Sequence, residues 1–401
     1  GKTNPGFGMA FFIGVEGAPM PVKLSFRAES IQPSAIRRYF DVPEDVVSLG
    51  IGEPDFSSPD CVVRAAVAGL QSGETHYTAN LGISGLRAAI SDHLFNLYGV
   101  RYDPDDEIIV TVGCSEALFL ALAATVNPGD EVIVITPCFV SYQAAVVLAS
   151  GVPVEIPCTI ENNFDLDIKA IEAAITPKTR AILFGFPCNP TGAVASREAL
   201  TALTNIALKN NLALISDELY DQLVFVGEHV CAPSIPGAFD RTFLVGGFSK
   251  NYAMTGFRIG YICGPRDLLN GAYKIHQYLI MSAPTLAQLG AIAALKDGAE
   301  DVVRMRNEYD RRRKLLYKTL NEFGLRTAEP KGAFYIFPEI RSTGLTSEAF
   351  AERLLNEKRV ALIPGNGFGK GGEGFVRISY ATAYEKIEIA LERIRNFLKD
   401  L

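Results

Sequence analysis

The stretch Gly246-Gly247-Phe248-Ser249-Lys250-Asn251-Tyr252-Ala253-Met254-Thr255-Gly256-Phe257-Arg258-Ile259-Gly260-Tyr261 decides how the chain is read. It follows Thr242-Phe243-Leu244-Val245, an apolar run that reads as a buried strand, and the paired glycines break that strand at its carboxyl end. Lys250 therefore sits in a strand-end loop. A lone lysine is ordinarily a solvated surface group. This one follows two glycines and a serine, precedes small and apolar residues, and has Arg258 eight positions on. An amine crowded into such surroundings gives up its proton more readily, as an imine-forming lysine must.

Working outward, the chain from residue 108 repeats strand, turn and helix. Ile108 to Val112 reads as a strand, Gly113-Cys114-Ser115 as a tight turn, and Glu116 to Val126 as a helix stopped by Asn127-Pro128-Gly129-Asp130. Glu131 to Ile135, Val152 to Ile156, Arg180 to Gly185, Leu212 to Ser216 and Thr242 to Val245 are further apolar strands. Such alternation predicts an α/β fold with a mostly parallel sheet covered by helices on both faces, its ligands held at the carboxyl ends of the strands.

Those ends carry the candidate site residues. The amides of Gly113, Cys114 and Ser115 open a helix and could hold a phosphate. Phe139 follows another strand and is either core or a platform for a planar ring. Asp217, directly after an apolar strand, is costly to bury without a partner, so it is either a helix cap or the counter-charge of a bound cation. Arg258 offers a guanidinium fork suited to phosphate oxygens, and Ser249 a hydroxyl. Arg377 interrupts the apolar run Phe375 to Tyr380 and calls for a carboxylate, from the protein or from a substrate.

Length and composition exclude other classes. A chain of 401 residues has room for two or three domains and a large core. The net charge of −7, without a long basic run, argues against nucleic acid as a partner. Seven cysteines, widely spaced and never as C-x-x-C, read as reduced cytosolic thiols, and four scattered histidines give no metal motif. Residues 9 to 22 are too short and too broken by Glu16, Pro19 and Pro21 to span a bilayer, and they read as an extended arm. Gly1 leaves Met9 or Met20 as a candidate natural start.

With these residues in view, the Lys250 stretch resembles the lysine motif of the class I aminotransferases, pyridoxal-phosphate enzymes of fold type I, especially the aspartate and aromatic aminotransferase branch. There Ser-Lys precedes Gly-aromatic-Arg-x-Gly-Tyr. The resemblance covers roughly residues 24 to 400. It implies a large domain built on a seven-stranded-type sheet (49–299), a smaller α+β domain (24–48 and 300–401) and an amino-terminal arm (1–23). Lys250 then carries pyridoxal 5'-phosphate covalently and moves a proton. Asp217 keeps the ring nitrogen protonated, and Asn189 in Asn189-Pro190-Thr191-Gly192 and Tyr220 adjust the ring oxygen. Gly113, Cys114, Ser115, Ser249 and Arg258 hold the phosphate, with Gly247 replacing a serine common in the family. Gly52, in Leu49-Gly50-Ile51-Gly52-Glu53-Pro54-Asp55-Phe56, and Arg377 grip the substrate carboxylate. Tyr77 reaches the cofactor of the other subunit, which implies a homodimer.

The implied activity is cytoplasmic ping-pong transamination between an L-amino acid and a 2-oxo acid, expected to be 2-oxoglutarate. Some dicarboxylate-specific relatives carry a lysine at the position of Ser115 or an arginine near that of Tyr278, and neither cation stands here. A C-S β-lyase of the same fold would use the same residues. A non-catalytic cofactor-binding regulator would be expected to carry a DNA-binding extension, and a nicotinamide-binding protein needs a G-x-G-x-x-G that is missing after the early strands.

Overall fold

The computed structural model describes residues 23–31, 39 and 42–401. The expected arm, apart from Lys23, lies outside the described residues, and so, apart from Tyr39, does Ala35 to Phe40, which reads in sequence as a short amphipathic helix. After a short strand β1 (Val47–Ser48), seven strands build the main sheet: β2 (Ile108–Thr111), β3 (Glu131–Thr136), β4 (Val152–Pro157), β5 (Thr179–Gly185), β6 (Ala213–Asp217), β7 (Thr242–Gly247) and β8 (Gly260–Cys263). Their order is β2-β8-β7-β6-β5-β3-β4, and β8 alone runs against the rest. The fold is the expected α/β sheet, mostly parallel and flanked by helices.

Side chains alternate across this sheet with the period of two that a strand imposes. Ile109, Val132, Val134, Leu183, Ile215, Phe243 and Ile262 face one cluster with the helices Gly113–Thr125 and Arg266–Leu279. Ile108, Val110, Leu244 and Cys263 face a second cluster, and Ile133, Ile135, Ile182, Phe184 and Leu214 a third. Burial on both faces explains why the strands read as continuous apolar runs.

The reversed strand β8 goes beyond the sequence expectation. It is four residues long, opens on a glycine and lies inside the motif read for Arg258. Gly260 is required there: a Cβ would lie 2.9 Å from the Cys114 amide nitrogen, so only glycine lets β8 pass the start of the helix Gly113–Thr125.

Beyond the 24-residue helix Ala299–Glu322 lie β9 (Tyr335–Ile336), β10 (Val360–Ala361), β11 (Ile363–Pro364) and β12 (Val376–Ser379), with the helices Ser347–Lys358 and Tyr384–Lys399. β11, β12 and β9 form an antiparallel sheet, and β10 pairs in parallel with β1. Gly332 to Phe337 reads in sequence as one strand, yet only Tyr335–Ile336 is extended and paired, since Ala333 adopts a positive φ of 58° that ends extended pairing. Pro364 to Gly374, whose glycines read in sequence as a flexible loop, packs closely instead: Phe368 is buried and its carbonyl accepts from Cys138 N–H at 3.0 Å. Phe334, Phe337, Phe350 and Phe397 share one apolar cluster with the main-sheet residues Ile182 and Phe184. Among the described residues no helix is long and apolar enough to cross a membrane.

Candidate active site

The carboxyl ends of β2, β3, β5, β6 and β7 open onto one cavity of about 600 Å³, a size that suits a small organic ligand. Lys250, Asp217, Arg258 and Arg377 all line it, as do Asn189, Tyr220, Phe139, Cys114, Ser115, Ser249 and Gly52. Residues as far apart as 52 and 377 are thus brought together.

Asp217 ends β6, and no helix follows it, so the capping alternative falls away. Its carboxylate accepts from the Tyr142 hydroxyl at 2.8 Å and from Leu219 N–H at 3.2 Å. Burial nevertheless pushes its pKa up to about 6, with the Tyr142 hydrogen bond working in the opposite direction. A carboxylate held this way lacks a cation, and a protonated ring nitrogen in the cavity is one that would restore its charge.

Lys250 is half-buried, and its Nζ donates to the Gly52 carbonyl at 2.7 Å. Burial draws its pKa down to about 8, against the opposing pull of Glu53 and Cys114. The amine is therefore neutral in a sizeable fraction near pH 8, the state a nucleophile or proton acceptor needs. Gly52 presents its carbonyl to the lysine, where the resemblance implies an amide facing a substrate carboxylate.

Arg377, 2% exposed, comes from β12. Its Nη1 donates to Asn189 Oδ1 at 3.0 Å and its Nη2 to Gly50 O at 2.5 Å, while Nε has no partner. No protein carboxylate pairs with it among the described residues. A buried guanidinium without an anion is costly, and a carboxylate entering the cavity would relieve that cost.

Another part of the lining suits a phosphate. The helix Gly113–Thr125 points its amino end at the cavity, and a Cβ at Gly113, whose φ is +71°, would lie 2.7 Å from Arg258 Nη2. The guanidinium thus sits directly against the first turn, where the helix dipole also favours an anion. Arg258 itself adopts a left-handed φ of 52° and donates to Thr255 O at 3.1 Å. A buried acid, an amine, and a helix start beside an arginine would suit a ligand that carries a cationic ring nitrogen, an aldehyde and a phosphate.

One expected site residue, Tyr77, stands apart, and so does Tyr278, the position noted for carrying no arginine. Tyr77 is 83% exposed and lines a separate surface hollow with Val112 and Ser282. Tyr278 is 94% exposed. Tyr142, Tyr335, Glu53 and Thr255 also line the cavity, and sequence reasoning missed them. Tyr142 and Tyr335 read locally as core aromatics. Glu53 belonged to a quoted motif, and that was the signal available.

Fold and cavity together define an α/β enzyme with its ligand site on the carboxyl ends of a mostly parallel sheet. The family model described as aminotransferase class I and II matches residues 44–394. The aspartate aminotransferase of Pyrococcus abyssi is 45% identical over 383 residues, covering 94% of this chain and 98% of its own length. Aromatic-amino-acid aminotransferase 2 of Thermococcus litoralis is 43% identical over 383 residues with the same coverage. The crystal structure of aromatic aminotransferase from Pyrococcus horikoshii OT3 superimposes with a TM-score of 0.87 at 46% identity, over 91% of this chain and 99% of that one. The chain belongs to the class I and II aminotransferases.

Proposed function

We propose that the cavity binds pyridoxal 5'-phosphate and that the enzyme moves an amino group from an aspartate-like or aromatic L-amino acid to a 2-oxo acid, 2-oxoglutarate in the first instance. The observation that carries this reading is the meeting of Lys250, Asp217, Arg258 and Arg377 around one cavity.

Lys250 would hold the cofactor covalently, Asp217 would face its ring nitrogen, and Phe139 its ring. Asn189 and Tyr220 would meet the ring oxygen. The first turn at Gly113, Cys114 and Ser115, with Ser249 and Arg258, would take the phosphate. Bound there, pyridoxal phosphate supplies an electron sink and a carrier for the amino group. Arg377 grips the substrate α-carboxylate through two parallel hydrogen bonds, assisted by the Gly52 loop. That grip would set the α-carbon before Lys250 Nζ, whose amine, once the substrate amino group has displaced it from the cofactor, would be placed to accept and return the α-proton. Reaction proceeds in two halves, the first oxo acid leaving before the second binds.

The exposed Tyr77 supports a homodimer in which it completes the partner's phosphate site. The seven unpaired cysteines support a reducing, cytoplasmic setting. Mixing the protein with pyridoxal phosphate and single amino acids, and following the visible absorption band, tests the reading. The band should form, and it should be lost with aspartate or an aromatic donor. A protein that never acquires the band lacks the proposed site.

A further inference from the structure

Tyr335 lines the cavity, is buried, and touches two of the groups assigned above. It lies on β9 opposite Ser379, two residues from Arg377 on β12, so the two side chains are diagonal neighbours on one face of the sheet. The guanidinium carbon of Arg377 stands 4.5 Å from the centre of the Tyr335 ring and 5.0 Å from that of Phe368. Stacked in this way, the cation spends none of its in-plane N–H groups on the ring, so Nε and the hydrogens not donated to Asn189 and Gly50 stay open to a carboxylate.

The phenol reaches the other way. Its hydroxyl is 2.9 Å from the hydroxyl of Tyr220, a residue on the loop after β6. Two hydroxyls sharing one hydrogen bond leave one proton over. When Tyr335 donates, the Tyr220 proton is released towards the cavity and is strengthened as a donor by the bond behind it. The position is also crowded, because a Cβ at Gly52 would run into the Tyr335 hydroxyl. Gly52 accepts from Lys250, so the phenol is wedged among the carboxylate grip, the lysine loop and the ring-oxygen donor.

We propose that Tyr335 is a positioning residue for transamination, steadying Arg377 with its ring and orienting the Tyr220 proton with its hydroxyl. This rests on the reading of the cavity given above. The two contacts are separable by substitution. Tyr335→Phe keeps the ring and deletes the hydroxyl, whereas Tyr335→Leu deletes both.

The test compares three readouts on the loaded enzyme: the pH midpoint of the visible band, calorimetric binding of 3-phenylpropionate, a carboxylate without an amino group, and steady-state kinetics. For Tyr335→Phe the midpoint should move upward, because a weaker Tyr220 donor stabilises the deprotonated ring oxygen less. Its kcat should fall about five- to tenfold, the equivalent of one hydrogen bond, with KM and 3-phenylpropionate affinity within about twofold of the parent. Tyr335→Leu should in addition weaken 3-phenylpropionate about tenfold. Tyr220→Phe should show the same upward midpoint, and adding Tyr335→Phe to it should change nothing further. A Tyr335→Phe enzyme with the parental midpoint and kcat overturns the hydroxyl role, and parental carboxylate affinity in Tyr335→Leu overturns the ring role. A parent protein that forms no visible band refutes the cavity reading itself, a result distinct from either.

Discussion

Replacing Asp217 by asparagine should make the cofactor-free protein more stable while disabling it. Burial lifts the Asp217 pKa from 3.8 to about 6, so folding carries a cost of up to about 3 kcal/mol once the pH exceeds both values. The sign follows from the direction of the shift: a raised carboxylate pKa penalises the folded state in full above about pH 6, and the penalty shrinks between about pH 6 and 4 and is nearly gone at about pH 4. The substituted amide would carry no charge, and the Tyr142 hydroxyl can turn to accept from it. For a chain of 401 residues the gain corresponds to about 3–4 °C at the midpoint of unfolding. Thermal unfolding of cofactor-stripped parent and Asp217→Asn proteins, at one protein concentration and at pH 4 and 7, measures it. The variant should melt higher at pH 7 and level with the parent at pH 4. Adding pyridoxal phosphate should reverse the order, because the parent alone offers a carboxylate to the ring nitrogen. An Asp217→Asn protein less stable than the parent at pH 7 without cofactor, or a gap independent of pH, would refute the reasoning.

Arg377→Lys loses the planar fork and should raise KM for an aspartate or aromatic donor about tenfold or more, with a smaller fall in kcat; an unchanged KM counts against Arg377 as the carboxylate grip. Amine labelling of Lys250 in cofactor-stripped protein should be half-maximal near pH 8, because the neutral amine is the reactive form and burial favours it, whereas a midpoint near 10.5 would show a solvated lysine. Sedimentation should give a two-chain mass, and Tyr77→Phe should weaken cofactor binding about tenfold without dissociating the dimer; parental affinity would remove Tyr77 from the phosphate site.

Much of this was legible before any coordinates. Six strands of the main sheet showed in sequence because burial on both faces forces unbroken apolar runs, as in Ile133-Val134-Ile135 and Leu214-Ile215. The rule that ligands sit at strand ends then singled out Asp217, Lys250 and the turn at Gly113, and the cavity unites them. Strand β8 escaped because four residues opening on glycine carry too little pattern, and its reversed direction depends on pairing with distant neighbours. Tyr142 and Tyr335 escaped for a related reason. Each is defined by a partner far along the chain, 75 residues away for Asp217 and 115 for Tyr220, and nothing local separates them from core aromatics. The packing of Phe368 likewise arises from the long-range bond to Cys138, which a run of glycines does not announce.

The claim on which all else depends is that the Lys250 amine carries the cofactor. Borohydride reduction of the protein mixed with pyridoxal phosphate, followed by digestion and mass mapping, addresses it most directly. We expect the pyridoxyl mass on the peptide containing Lys250, and neither that adduct nor transamination in Lys250→Ala. Label scattered over other lysines, or a Lys250→Ala protein that transaminates at the parental rate, would contradict it.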